Sequence, residues 1–222
     1  MSKKITFLTL FFFLLTLTTF QPNHKHEKIV LFKIKGIKVE NSNYVNQIKL
    51  KNYLYYLYEG KDLVNFNKNE LNLVTKKFDL IELIKVKKIY PNKLIFTIFE
   101  KKPIAILFEK KDKFFVTSNN EKVKYFEDEM LSNLPFIIGK KENFVSLYNT
   151  LLDLNFPINK IKSYNHFEVG RWDINLQDNR IIKLPPINYK ESLIEFIKLN
   201  KNVNFEKFKT FDFRIKNQLI VK

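Results

Sequence analysis

The chain has 222 residues, enough for one or two small domains, and 45% of them are hydrophobic, enough for ordinary cores. It has no cysteine, which excludes a disulfide framework, a thiolate zinc site and a cysteine nucleophile. Its formal net charge of +16 favours anionic partners, but the lysines are dispersed, and Lys, Asn, Ile and Phe are abundant throughout. Solvated faces and an AT-rich coding bias explain the charge better than a dedicated anion site.

Residues 1–4 are short and basic, and residues 5–20 carry no charge. As a helix that segment is about 24 Å long, a little short of a typical hydrocarbon core. It fits an uncleaved anchor, with Lys3 and Lys4 holding the N-terminus in the cytoplasm. A cleaved signal peptide has the same layout, but no small-residue cleavage site follows. Both readings export the remainder. Residues 21–28 are polar and read as a tether; His24 and His26 stand there without a third ligand, a weak case for a metal.

Residues 31–39 alternate as a strand, and residues 43–58 carry Leu50, Leu54 and Leu57 at helical spacing before Gly60. Asn67-x-x-Glu70 reads as a capping box for a helix with Leu71, Val74 and Phe78 on one face. Residues 81–107 read as a strand, a turn at Tyr90-Pro91-Asn92, and a longer strand whose pairing should change near Pro103. Two amphipathic helices can cover one face of the resulting three-stranded sheet.

Beyond Pro103 the elements shorten. Residues 114–117 and 123–126 read as strands about a turn at Ser118-Asn119-Asn120, and 134–139 as a short apolar run. Phe144, Leu147, Leu151 and Leu154 form a helical stripe that stops before Pro157. Residues 167–176 and 180–184 are strand candidates, with Asn179 suited to a left-handed turn. Asn188-x-x-Glu191 repeats the capping pattern before a helix with Leu193, Phe196 and Ile197. Residues 210–222 close the chain as a strand, with Phe211, Phe213, Ile215, Leu219 and Val221 on one side. A terminal strand of this kind is a candidate sheet edge, open to an added strand.

No phosphate loop, G-x-S-x-G or H-E-x-x-H motif is present. His166 beside a strand reads as structural, and Glu168, Asp173 and Asp178 read as solvated faces rather than a glycosidase pair. Asp212 and Arg214, two apart, read as an ion pair or as part of a partner-binding surface.

Four motifs in order resemble the bacterial cell-division FtsQ (DivIB) family. Tyr90-Pro91-Asn92-Lys93-Leu94 with Phe99-Glu100-Lys101-Lys102-Pro103-Ile104-Ala105 resembles its P-x-x-L … E-R-x-P-x-A hairpin, Lys replacing Arg. Leu134-Pro135 to Gly139 resembles its L-P…G; Gly170-Arg171-Trp172-Asp173-Ile174 through Leu184-Pro185 its R-W-x-L … V-x-L-P hairpin. Phe211-Asp212-Phe213-Arg214 … Leu219-Ile220-Val221 resembles its I-D-L-R … R-L-x-V end. Two turns depart from the pattern: Ser118-Asn119-Asn120-Glu121 stands for Asp-x-x-Gly, and Asn179 for glycine.

The resemblance implies an α+β fold with an N-terminal membrane helix. A small POTRA domain, a three-stranded sheet with two helices, would follow, then a C-terminal mixed β domain with flanking helices. The bounds expected are 1–4 for a cytoplasmic tail, 5–20 for the anchor, 21–28 for the linker, 29–107 for the POTRA domain and 108–222 for the β domain. The implied role is a non-enzymatic scaffold without cofactor or metal. It would cross the inner membrane once at the division septum, with its folded domains in the periplasm. FtsB and FtsL would be its partners at the last strand, through Asp212, Phe213, Arg214, Leu219, Ile220 and Val221. Other division proteins would be met through the POTRA domain. Trp172 is expected in the core. A POTRA-type transport or chaperone module, an exported envelope enzyme and a nucleic-acid binder are the alternatives. Too few spanning strands disfavour a barrel, the missing catalytic groups an enzyme, and export a nucleic-acid partner.

Overall fold

The computed structural model describes residues 2–19, 31–201, 206–216 and 218–222. Helix α1 (Ser2–Thr19) has an apolar, uncharged stretch whose side chains from Ile5 to Leu15 all face outward, Phe7 at 73% exposure. Among the described residues no helix is long and apolar enough to cross a membrane. Among the described residues, neither hydrophobic core contains one of α1. The expected linker, residues 21–28, lies outside the described residues.

The first sheet has three strands: β1 (Gly36–Glu40), β2 (Ile81–Ile89) and β3 (Lys93–Glu100), in the order β1-β3-β2. β1 runs parallel to β3, and β2 antiparallel. The parallel pair needs a crossover, which α2 (Gln47–Tyr58) and α3 (Leu71–Lys77) supply. Leu50, Leu54, Leu57 and Val74 bury their helical stripe on Ile37, Val39, Leu94 and Phe96. α2 starts later than its periodicity suggests, because Asn46 caps it by accepting from the Lys49 N–H at 2.9 Å. The Asn67 side chain accepts from the Asn69 N–H at 3.0 Å, whereas Glu70 turns away to Lys61 at 2.7 Å, so the reciprocal half of that capping box does not form.

Glu100, the last residue of β3, holds the loop before α2. Its carboxylate accepts from the backbone N–H groups of Asn43 (2.8 Å), Tyr44 (3.0 Å) and Val45 (2.8 Å). The pairing then changes at Pro103 as expected: β4 (Pro103–Glu109) leaves the first sheet for a second one.

That second sheet has nine strands in the order β12-β11-β10-β9-β8-β7-β4-β5-β6. Its remaining members are β5 (Asp112–Thr117), β6 (Lys122–Lys124), β7 (Phe136–Ile138), β8 (Ile161–His166), β9 (Trp172–Leu176), β10 (Ile181–Lys183), β11 (Thr210–Asp212) and β12 (Ile220–Val221). The parallel pairs β7–β8 and β10–β11 are bridged by α4 (Phe144–Asp153) and α5 (Tyr189–Leu199). Phe144, Leu147 and Leu151 of α4 and Leu193 and Phe196 of α5 cover one face of the sheet, with Trp172 beneath them in the core as expected. β4 and β5 are buried on both faces: Leu107 and Val116 face that core, while Ile106 and Phe115 face the core of the first sheet. The two sheets therefore share apolar contact.

Three expectations are corrected here. The strand read through residues 167–176 is broken by a turn at Gly170 (φ +79°), whose N–H bonds to the Phe167 carbonyl at 2.9 Å, and β8 precedes it. Asn188 takes a left-handed conformation (φ 58°) without a side-chain cap, so no capping box opens α5. The final strand folds back on itself as β11 and β12, paired antiparallel.

Candidate partner-binding edge

β12 ends the nine-stranded sheet. Thr210 and Lys222 exchange both backbone bonds, Thr210 N–H to Lys222 O at 2.9 Å and Lys222 N–H to Thr210 O at 3.1 Å. Antiparallel bonding alternates along a strand, so Val221 turns its N–H and C=O away from β11, toward the open edge. The side chains alternate as well: Val221 and Leu219 lean on the α4/α5 core, and Ile220, 41% exposed, points to the opposite face.

The predicted residues divide along this geometry. Leu219, Ile220 and Val221 lie on or beside the edge strand. Phe213 is buried in the core and offers no contact surface. Asp212 and Arg214 clasp each other: Arg214 donates from Nε to Asp212 Oδ1 at 2.8 Å and from Nη2 to Oδ2 at 2.5 Å. The Arg214 backbone N–H adds a third bond to Oδ1, at 3.1 Å. The Arg214 hydrogen bonds hold the Asp212 carboxyl below the usual carboxylate range, and Lys183 adds to that.

Asp212 belongs to a cross-strand row that no spacing in the chain reveals. Asn165 of β8 lies opposite Asp173 of β9, Asp173 opposite Lys183 of β10, Lys183 opposite Asp212, and Asp212 opposite Ile220. These residues share the sheet face away from α4 and α5. Asp173, expected on a solvated face, is 6% exposed. Its Oδ1 lies 3.6 Å from Arg171 Nε, and neither atom has a hydrogen-bond partner. Burial pushes the Asp173 carboxyl up, against the pull of Arg171, Lys183 and Arg214. Two carboxylates flanking one lysine are thus shifted in opposite senses, by burial at one and by a guanidinium clasp at the other.

His166 packs on Trp172 with ring centroids 4.5 Å apart and the planes tilted by 39°, and burial lowers its pKa. Gly139 (φ +98°) lies so close that a Cβ there would stand 2.4 Å from the His166 carbonyl oxygen. Among the described residues no three His, Asp or Glu side chains gather as a metal site; His24 and His26 lie outside them.

No protein-family model matches the chain. Cell division protein FtsQ of Rickettsia typhi is 25% identical over 86% of this chain and 73% of its own length. FtsQ of Rickettsia bellii is 27% identical over 86% and 72%, and that of Bartonella bacilliformis 23% over 63% and 46%. Among solved structures, the major extracytoplasmic domain of the cell division protein DivIB from Geobacillus stearothermophilus aligns at 15% identity over 47% of this chain and 98% of that one. The TM-score of that alignment is 0.32. Across most of its length the chain is thus similar to FtsQ cell division proteins, at 25% and 27% identity over 86% of its residues in the two Rickettsia relatives.

Proposed function

We propose that the chain is a non-enzymatic scaffold of the division machinery that receives FtsB, together with FtsL, as an added strand along β12. The observation that carries this reading is the open backbone of Val221 at the end of the sheet. An added strand draws affinity from main-chain bonds and specificity from alternate side chains. Leu219, Ile220 and Val221 supply the edge, Asp212 and Arg214 brace the hairpin beside it, and Phe213 fixes that hairpin to the core. The wider layout belongs to the same proposal. Residues 5–20 anchor the chain in the inner membrane, the part of 29–107 that precedes Pro103 forms a POTRA domain that meets other division proteins, and the rest to 222, β4 included, forms the partner-binding domain at the septum.

The test is calorimetry of residues 31–222 against the exported region of an FtsL–FtsB pair at physiological salt. Val221→Pro removes the outward N–H and keeps an apolar side chain at the core, at a position where an edge strand tolerates proline. It should weaken binding at least tenfold while leaving the melting curve in place. Unchanged affinity in the folded variant would refute strand addition. Leu219→Asp is the poorer probe, because it sets a charge against the core on which Leu219 packs.

A further inference from the structure

The first sheet has helices on one face only. On the other face, the pairings align Lys38 with Ile95 and Lys87, Glu40 with Thr97 and Lys85, and Lys93 with Ile89. Leu83 pairs with Phe99 at the far end. These residues alternate with the buried Ile37, Val39, Leu94, Phe96 and Ile98, so they face away from the core. Lys38, Lys85, Lys87 and Lys93 are all exposed, and Glu40, the carboxylate aligned among them, is taken by Lys38 at 2.7 Å. Next to the lysines, at the far end of the face, lie apolar groups open to solvent, Leu83 at 49% and Phe99 at 38% exposure, with Lys85 Nζ resting 4.8 Å from the Phe99 ring. Lys88 differs from its neighbours: it pairs with Leu94 on the helix side and donates to the Val64 carbonyl at 2.7 Å.

The lysine-rich end is also where the chain enters the sheet. Gly36 opens β1 opposite Lys93, and the β2–β3 turn at that end exposes Tyr90 at 55%. Thr19, the last residue of α1, is twelve residues before Leu31, which limits their separation to roughly 40 Å. An outward-facing apolar helix is thus tied by a short length of chain to a surface of lysine, tyrosine and aliphatic groups.

We infer that the open face of the first sheet rests on an anionic lipid surface. Lysines set among aliphatic groups meet acidic headgroups while their stems and the apolar groups enter the interface, and tyrosine suits that depth. The proximity of the sheet to a bilayer leans on the membrane reading of α1. The test is made without α1, so its failure would leave the β12 reading standing.

Residues 31–222 retain both cores and can be floated with phosphatidylcholine vesicles, with and without phosphatidylglycerol. Binding is expected only with phosphatidylglycerol. Lys85→Gln with Lys87→Gln should lower the partition about thirtyfold, at about fivefold per lysine. Lys190→Gln with Lys198→Gln, exposed on α5, removes the same charge and should leave binding nearly unchanged. Equal losses in the two variants would reduce the effect to diffuse net charge and overturn the inference. Absence of vesicle binding would overturn it too, and binding to polyglutamate in its place would assign the face to an acidic protein.

Discussion

Replacing Glu100 by alanine removes a single acceptor group on which three backbone donors converge. The Asn43 N–H is exposed and finds water again at little cost, whereas Tyr44 and Val45 donate from partly buried positions. A buried donor left without a partner costs about 1–3 kcal/mol, with charged acceptors toward the upper part of that range. Two such groups, partly reached by solvent, give a loss of roughly 2–4 kcal/mol for Glu100→Ala. Glu100→Gln keeps one acceptor oxygen and should fall between the variant and the native chain. Urea denaturation of residues 31–222, followed by far-UV circular dichroism, measures the loss directly. Emission of Trp172 reports separately on the α4/α5 core, which Glu100 does not touch. A loss below about 0.5 kcal/mol, the range of ordinary surface substitutions, would refute the role given to Glu100.

Gly139→Ala would force a Cβ against the His166 carbonyl in a left-handed conformation; it should cost about 3 kcal/mol or more, read as a lowered melting temperature. Ile106→Ala should cost about 2–5 kcal/mol in urea, because the side chain fills the core shared by the two sheets. The two carboxylates of the cross-strand row should respond to pH with opposite signs. Asp173 is raised by burial, so ionising it disfavours the fold: the cost is absent in acid, grows as pH rises through the unfolded carboxylate range near about 4, and is complete above the folded value. Asp173→Asn should therefore melt higher than the native chain at pH 7, with the gain vanishing near pH 3. Asp212 is lowered by Arg214, so its contribution is full above about pH 4 and is lost as pH falls through the folded value. Asp212→Asn should melt slightly lower at pH 7, by less than about 1 kcal/mol given the 40% exposure of Arg214, and match the native chain in strong acid.

Much of the fold could be read from local pattern. Leu50, Leu54 and Leu57 fall on one helical stripe, Asn179 turns left-handed as its side chain permits (φ 67°), and the pairing changes at Pro103. What escaped the pattern depended on distant groups. Residues 210–222 alternate as one strand would, but two strands joined by a polar loop give the same period, and no glycine or proline marks the reversal. Gly170 could have marked the β8–β9 turn, yet the apolar residues around it masked that signal. Glu100 reaches a loop more than fifty residues upstream, and Asp173 is buried by the register of its neighbours. Neither is legible from sequence spacing. Of the six residues expected to meet a partner, the structure separates a core anchor, an ion-paired clasp and three edge residues, a distinction alternation alone does not make.

The nine-stranded sheet also sets a length. From β6 to β12 there are eight interstrand gaps, and at about 4.8 Å each the sheet carries its last strand roughly 38 Å from its first, measured along the hydrogen-bonding direction. The first sheet packs beside β4 and β5, near one end of that span. A strand seated beyond β12 would stand at the other end, held off by a continuous hydrogen-bonded ladder rather than by a flexible linker. The molecule is in this sense a ruler: whatever grips its two ends is kept apart by a fixed count of strands.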